Sequence, residues 1–155
     1  MIAAIDTNIL LDILIPDENH LARSKELIDR YNEKGQLITC EIVYAELASQ
    51  FPSEKELGDF LTTTSIKLIA SNEKSLALSG KRWKEYSKKR RDKLQCPLCG
   101  RKMHVHCPNC KKTVSLRQHI IGDFIIAAHA LVHADLLLSR DRGFYKTYFN
   151  DLEVE

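Results

Sequence analysis

Four acidic side chains stand against hydrophobic segments, where a carboxylate is costly unless a cation offsets it. Asp6 closes the apolar run Ile2-Ala3-Ala4-Ile5 and opens Asp6-Thr7-Asn8. Glu46 lies within Ile42-Val43-Tyr44-Ala45-Glu46-Leu47-Ala48, Asp123 precedes Phe124-Ile125-Ile126-Ala127-Ala128, and Asp141 follows Leu136-Leu137-Leu138-Ser139-Arg140. Carboxylate oxygens are hard ligands that suit a divalent cation such as Mg²⁺ or Mn²⁺. A centre of that kind suits phosphodiester hydrolysis. One or two ions neutralise the non-bridging oxygens, help deprotonate a water and stabilise the leaving oxygen. Asp6 is then the central ligand and a candidate bridge, with Asp123 and Glu46 completing the first site. Asp141 serves a second, weaker ion or acts through water.

Each acid alone also has a plainer use. Asp6 and Asp123 could cap the turns they introduce, and Asp141 could pair with Arg140 or Arg142. The four taken together favour a catalytic centre, by the clustering of acids at functional sites. Asp12, six residues after Asp6, falls off this site, and Asp135 begins a strand at the end of the sheet away from catalysis.

A second constellation is Cys96-Pro97-Leu98-Cys99 followed by Cys107-Pro108-Asn109-Cys110. Two Cys-x-x-Cys knuckles at this spacing match a tetrahedral Cys₄ zinc site, each knuckle curling two thiolates toward one ion. The duplication argues against a free redox dithiol. Structural Zn²⁺ would supply the folding energy of a small ribbon, with residues 101–106 as a tight hairpin between the knuckles. His104 and His106 then face solvent or nucleic acid. Cys40 reads as a small buried thiol. Four cysteines in knuckles and one left over fit a reducing compartment. No apolar run approaches the roughly 20 residues that span a bilayer, and no secretory leader pattern is present, so a cytoplasmic protein without membrane association is expected.

The net charge of +2 conceals an asymmetry. Residues 81–117 carry 13 Lys and Arg against Glu85 and Asp92, a balance of +11, which leaves −9 for the rest. A basic block beside an acidic centre suits a polyanion held against a metal site. The candidate contacts are Lys88, Lys89, Arg90 and Arg91, with Arg101, Lys102, Lys111 and Lys112 on the ribbon. Such residues give salt-dependent affinity without sequence readout. A solvated helix face and a protein-docking ribbon are the alternatives. Arg117 and His119 are near enough in sequence to the acids to touch a phosphate. Trp83 and Tyr86, three apart on a helix face, either stack bases or pack against the sheet or a second subunit.

The elements that must position these groups alternate. Strands are expected at residues 2–5, 36–40, 66–70 and 135–139, with a short edge strand at 152–155. One helix starts near Asn19 or His20 and stops at Gly35. A second carries Glu46 and is closed by Pro52, and Ser53 caps a third through Phe60 and Leu61. Ser71 or Asn72 caps a long helix toward Lys93, and residues 124–133 form an apolar helix in which His129 is a core or interface residue. This is an α/β pattern with one ordinary core: a parallel sheet covered by helices on both faces. Ligands gather beyond the carboxyl ends of such strands, where Asp6 and Asp141 fall.

Asp6-Thr7-Asn8-Ile9-Leu10-Leu11-Asp12, Ala45-Glu46-Leu47, Gly122-Asp123-Phe124-Ile125-Ile126-Ala127-Ala128-His129-Ala130 and Ser139-Arg140-Asp141, in this order and spacing, resemble the PIN domain family. The nearest flavour is the VapC-like toxin ribonucleases. The resemblance covers nearly the whole chain except about residues 95–115, where many relatives have only a short loop. It implies a PIN-like nuclease domain over 1–94 and 116–155, with a zinc ribbon inserted at 95–115. It also implies Mg²⁺- or Mn²⁺-dependent endonucleolytic cleavage of single-stranded or structured RNA, a homodimer, and an antitoxin partner. In the family pattern Ser139 stands for a usual threonine two residues before the last acid, and Asn8 matches a polar supporting position. Both would orient ligands or water by hydrogen bonds. A PIN nuclease that matures ribosomal RNA is the alternative enzyme, since zinc ribbons accompany PIN domains there too. A non-catalytic RNA- or protein-binding module is the alternative outside catalysis, against which the full set of four acids argues.

Overall fold

Strand β1 (Ile2–Ile5) leads into helices α1 (Thr7–Leu14) and α2 (Leu21–Lys34), then β2 (Gln36–Thr39), α3 (Glu41–Ala48), α4 (Glu54–Thr63) and β3 (Ile66–Leu68). Helix α5 (Glu73–Lys88) precedes the short strands β4 (Leu94–Gln95) and β5 (Lys102–Met103), followed by α6 (Ile121–His133), β6 (Leu136–Leu138) and α7 (Arg142–Tyr148). The computed structural model describes residues 1–16, 18–88, 94–95, 102–114 and 120–155.

β1, β2, β3 and β6 pair in parallel in the order β3-β2-β1-β6. Ala3-Ala4-Ile5, Leu37-Ile38-Thr39 and Leu136-Leu137-Leu138 are buried at successive positions, which requires cover on both faces of the sheet. Each buried leucine there stabilises the fold by about 2 kcal/mol relative to exposure. The expected α/β architecture is therefore the one observed. Residues 153–155 extend it beside β6. Val154 bridges Leu137 in parallel, and Ser139 donates its N–H to the Glu155 carbonyl at 2.9 Å. No helix among the described residues is long and apolar enough to cross a membrane.

Helix α1 was not anticipated from the pattern. Ile9 and Leu10 are buried, and Leu11, Ile13 and Leu14 pack partly buried against the core, while Asn8 and Asp12 stand one turn apart, so the period runs over only two turns. Gly35 does end α2, where its N–H reaches the Tyr31 carbonyl at 3.1 Å. The reason is close approach: a Cβ on Gly35 would stand 2.0 Å from the Met1 carbonyl oxygen, which accepts from the Gln36 N–H at 2.9 Å. α3 ends at Ala48, short of Pro52. Ser53 caps α4 by accepting from the Glu56 N–H at 3.3 Å while donating to its carboxylate at 3.0 Å, a reciprocal cap. Asn72 caps α5 by accepting from the Ser75 N–H at 2.9 Å.

α6 starts at Ile121, three residues before the expected Phe124, which places Asp123 in its first turn. It packs on α5 through rings. The Trp83 and Phe124 centroids lie 5.3 Å apart edge-on, and Tyr86 sits 5.5 Å from Phe124 and 5.3 Å from Tyr148. Trp83 and Tyr86 are thus packing residues rather than base-stacking platforms. His129 is a core histidine whose Nε2 lies 2.8 Å from the Ile69 carbonyl oxygen. Arg82, counted in the basic block, is committed to Asp151 through two hydrogen bonds and lies over the Phe149 ring.

The cysteine segment differs from the expected hairpin at 101–106. Lys102–Met103 pairs antiparallel with Leu94–Gln95, and further on His106 bridges Thr113 while the Cys107 N–H donates to the Lys112 carbonyl at 2.9 Å. The stretch from 102 to 107 is therefore the shared middle strand of two successive antiparallel pairs, and the Cys107–Cys110 turn lies inside the second.

Candidate active site

The register of β1 against β6 builds the centre. Ile5 pairs with Leu138, so the chain leaves both strands side by side, and the Asp6 N–H donates to the Leu138 carbonyl at 3.0 Å. Asp6 and Ser139 therefore emerge together at the carboxyl edge of the sheet. The Asp6 side chain is buried, and three neutral donors converge on its Oδ2: Ser139 Oγ at 2.6 Å, Asn8 Nδ2 at 2.7 Å and the Tyr145 hydroxyl at 3.0 Å. Asn8 also donates to Ser139 Oγ at 3.0 Å and accepts from the Arg140 N–H at 3.1 Å. The Asp141 N–H closes the loop onto Ser139 Oγ at 3.1 Å. Asn8 and Ser139 tie the β1 end to the β6 end through one carboxylate oxygen.

No cationic side chain among the described residues pairs with Asp6. Burial pushes its carboxyl above the usual carboxylate value, an effect opposed by the Ser139 and Tyr145 hydrogen bonds and reinforced by the nearby Glu46. Glu46, half-buried on α3, accepts from the Thr7 hydroxyl. Asp123, in the first turn of α6, accepts from the Ile120 N–H at 2.9 Å. Asp141 caps α7 by accepting from the Phe144 N–H at 3.2 Å and is exposed. Tyr145 joins these acids. Burial pushes its hydroxyl far upward, and the charges of Asp6, Asp123 and Asp141 add to the shift, so it remains a proton donor at any ordinary pH.

Asp6, Asp123 and Asp141 thus lie near one buried tyrosine, Glu46 lies near Asp6, and each carboxylate is turned toward a protein donor. Among the described residues no three His, Cys, Asp or Glu side chains converge on a point where they would share one ion. The donor set nonetheless fits a divalent cation in its chemistry, because a buried carboxylate without a cationic partner is left with charge to neutralise. Two participants escaped the sequence reading. Thr7 is adjacent to Asp6, and Tyr145 lies one helical turn beyond Asp141, the i,i+4 spacing that could have pointed to it.

Asp12, expected to fall off the site, is 3% exposed. Its carboxylate accepts from Ser24 Oγ at 2.6 Å and pairs with Arg140 at 3.0 Å. Arg140 is therefore engaged by Asp12 and not by Asp141. Asp135, as expected, lies away from the centre, where it accepts from the Ile2 N–H at 2.7 Å.

Of the proposed zinc ligands, Cys107 and Cys110 are free thiols, half-buried and exposed respectively. The Cys107 thiol is held below its ordinary range by backbone N–H donors from Cys110 and Asn109. Cys96 and Cys99 lie outside the described residues, as do Lys89, Arg90, Arg91, Arg101, Arg117 and His119. Lys88, Lys111 and Lys112 are exposed, and Lys102 is on β5. His104 and His106 are exposed, as expected.

The centre is thus an aspartate at the carboxyl edge of a parallel α/β sheet, with no cationic partner among the described residues. Residues 3–150 match the PIN domain family, and the chain belongs to that family. PIN domains are generally metal-dependent nucleases. A comparison with curated proteins returns no match. Among solved structures, the fold is similar to VapBC-1 from nontypeable Haemophilus influenzae, at TM-score 0.62 and 21% identity over 100% of this chain and 97% of that one. It is also similar to VapBC2 from Rickettsia felis bound to a promoter DNA fragment, at 0.59 and 18% over 100% and 98%. FitAB bound to the IR36 DNA fragment matches at 0.53 and 18%, over 100% and 94%.

Proposed function

We propose that this chain is a metal-dependent endoribonuclease, acting on single-stranded or structured RNA as the toxin of a toxin–antitoxin pair. The observation that carries the reading is Asp6, buried at the carboxyl edge of the sheet with only neutral donors around it. Asp6, Glu46, Asp123 and Asp141 are the residues that would hold Mg²⁺ or Mn²⁺. The ion, when bound, supplies Lewis acidity and a water of lowered pKa. The chain's own residues do the positioning. Asn8, Ser139 and Tyr145 fix one oxygen of Asp6, Thr7 holds Glu46, and the cap on α7 orients Asp141.

An antitoxin partner is favoured by two fold neighbours, which are VapBC assemblies. A homodimer accords with the same reading. For the cysteine segment at 95–115, an inserted ribbon held by Zn²⁺ through Cys96, Cys99, Cys107 and Cys110 is supported by the duplicated knuckle spacing. The backbone N–H donors gathered on the Cys107 thiol suit a thiolate ligand.

The test is incubation of the purified protein with end-labelled single-stranded RNA and Mn²⁺ or Mg²⁺, beside Asp6→Asn. Cleavage that vanishes in the variant establishes the reading. Binding without cleavage across a broad RNA panel replaces it with a non-catalytic binding module.

A further inference from the structure

A basic cavity borders the acidic centre. Its volume is about 260 Å³, and its lining includes His20, Arg23, Ser139, Arg140, Arg142 and Glu155. Ser139 belongs to both places, since it lines the cavity and its hydroxyl donates to Asp6 at 2.6 Å. A chain that enters the acidic centre therefore has this cavity as its immediate neighbour.

The charges in it are unevenly satisfied. Glu155 is shared between Arg23, Arg30 and Tyr31, and Arg140 pairs with Asp12. Arg142 has no ion pair among the described residues. Arg140 is anchored at both ends, its guanidinium by Asp12 at 3.0 Å and its backbone N–H by Asn8 at 3.1 Å. Its side chain still keeps 40% of its surface exposed, so donors beyond the Asp12 contact remain in reach of a ligand. A guanidinium already fixed in place loses little freedom on binding, and its fork matches the oxygens of a phosphate.

We propose that this cavity is a phosphate subsite for the RNA strand cut at Asp6, with Arg140 and Arg142 holding a phosphodiester adjacent to the scissile one and Arg23 at the rim. The proposal rests on the nuclease reading for the scissile bond and names the part of the strand that the four acids leave unheld. An acidic centre alone repels a polyanion, and a cationic cavity sharing Ser139 with it offsets that repulsion where the next phosphate must lie. The basic residues of segment 81–117 are not needed for this contact.

Arg142→Gln is the informative variant, because removing Arg140 would strand the buried Asp12 and endanger the fold. Binding of a labelled single-stranded oligoribonucleotide is measured by anisotropy across a salt series in the cleavage-blocked Asp6→Asn background. Arg142→Gln is expected to weaken binding about 5- to 10-fold and to lower the slope of log K against log salt by about 0.7. Lys55→Gln, on the exposed face of α4, is expected to change neither. In the cleaving background Arg142→Gln raises KM with kcat held within about threefold, as loss of uniform binding predicts. Unchanged affinity and slope in both Arg142→Gln and the Arg23→Gln/Arg142→Gln double variant would overturn the subsite while leaving the nuclease intact. Loss of RNA binding in Arg142→Gln, with no cleavage by the unmodified protein, would sink the nuclease reading and keep the subsite. Competition by polyglutamate as strong as that by RNA, lost equally in Arg142→Gln, would mark an acidic-peptide site and overturn the proposal.

Discussion

Two buried aspartates, six residues apart, have opposite surroundings. Asp12, inside α1, meets a guanidinium and a hydroxyl, so its charge is balanced by the chain itself. Asp6, at the start of α1, is nearly as deeply buried at 7% exposed, yet its donors are an amide and two hydroxyls. Neutral donors stabilise a carboxylate without cancelling its charge, and burial still pushes its carboxyl upward. The pair separates a carboxylate paired by the chain from one with no cationic partner among the described residues. For Asp12 the chain itself provides the cation, Arg140.

The sharpest way to break this comparison is Asp6→Asn. Losing a central ligand removes several kcal/mol of transition-state stabilisation, so cleavage should fall about a thousandfold or more. At saturating Mn²⁺, near 100 times Kd, the unmodified protein should gain about 2.7 kcal/mol, or roughly 5–10 °C in Tm, and Asp6→Asn none. Without metal the sign reverses. A raised folded pKa means that ionised Asp6 costs stability above its ordinary value of 3.8, a cost relieved as pH falls through the folded value. Metal-free Asp6→Asn should therefore melt no lower than the parent at neutral pH, and a large drop there would refute the account.

The converse change is Arg140→Met, which leaves Asp12 buried without its cation. Breaking a buried pair costs about 3–5 kcal/mol. Ser24 remains as a donor and Arg140 is partly exposed, so about 2–3 kcal/mol is expected from denaturant melts. A loss under 0.5 kcal/mol would mean that Asp12 is not held by Arg140 in solution. Tyr145→Phe removes one donor from Asp6 and no charge. Metal affinity by calorimetry should fall about 10-fold with the melting temperature nearly unchanged, as for a group that orients a ligand.

The smallest effect concerns Glu155. Its carboxyl is held below the ordinary 4.5, first by the Tyr31 hydrogen bond and then by Arg30 and Arg23. A depressed pKa contributes stability that is present above 4.5 and is lost as pH falls through the folded value. Glu155→Gln should therefore flatten the acid limb of Tm against pH and leave Asp6-dependent cleavage in place. An unchanged acid limb would dissociate Glu155 from acid stability.

Much of the fold could be read locally. The apolar strands at 2–5 and 36–40, the Ser53 and Asn72 caps and the halt at Gly35 each depend on residues a few positions apart. Helix α1 could not be read so, because it follows β1 almost directly and eight residues give only two turns of period. In the site, Asp6 and Ser139 were legible because they follow strands directly, and hydrogen bonds join both to Asn8 in the first turn of α1. Tyr145 and Thr7 were not, since a tyrosine or threonine beside an acid is common and becomes informative only when its hydroxyl points inward. Arg140 looked like a neighbour for Asp141 but reaches Asp12, because the strand carries it past its sequence neighbour toward α1.

By itself the sequence determined the alternation of elements, the acids at the strand ends and the cysteine spacing, all consequences of short-range pattern. Only the tertiary structure decided which acid receives a cation from the chain and which does not. That choice depends on the β1–β6 register, which sets Asp6 beside Ser139 and brings Arg140 over Asp12 from the far end of the chain. Electrostatic compensation acts across a few ångströms of space, and sequence separation carries no record of it.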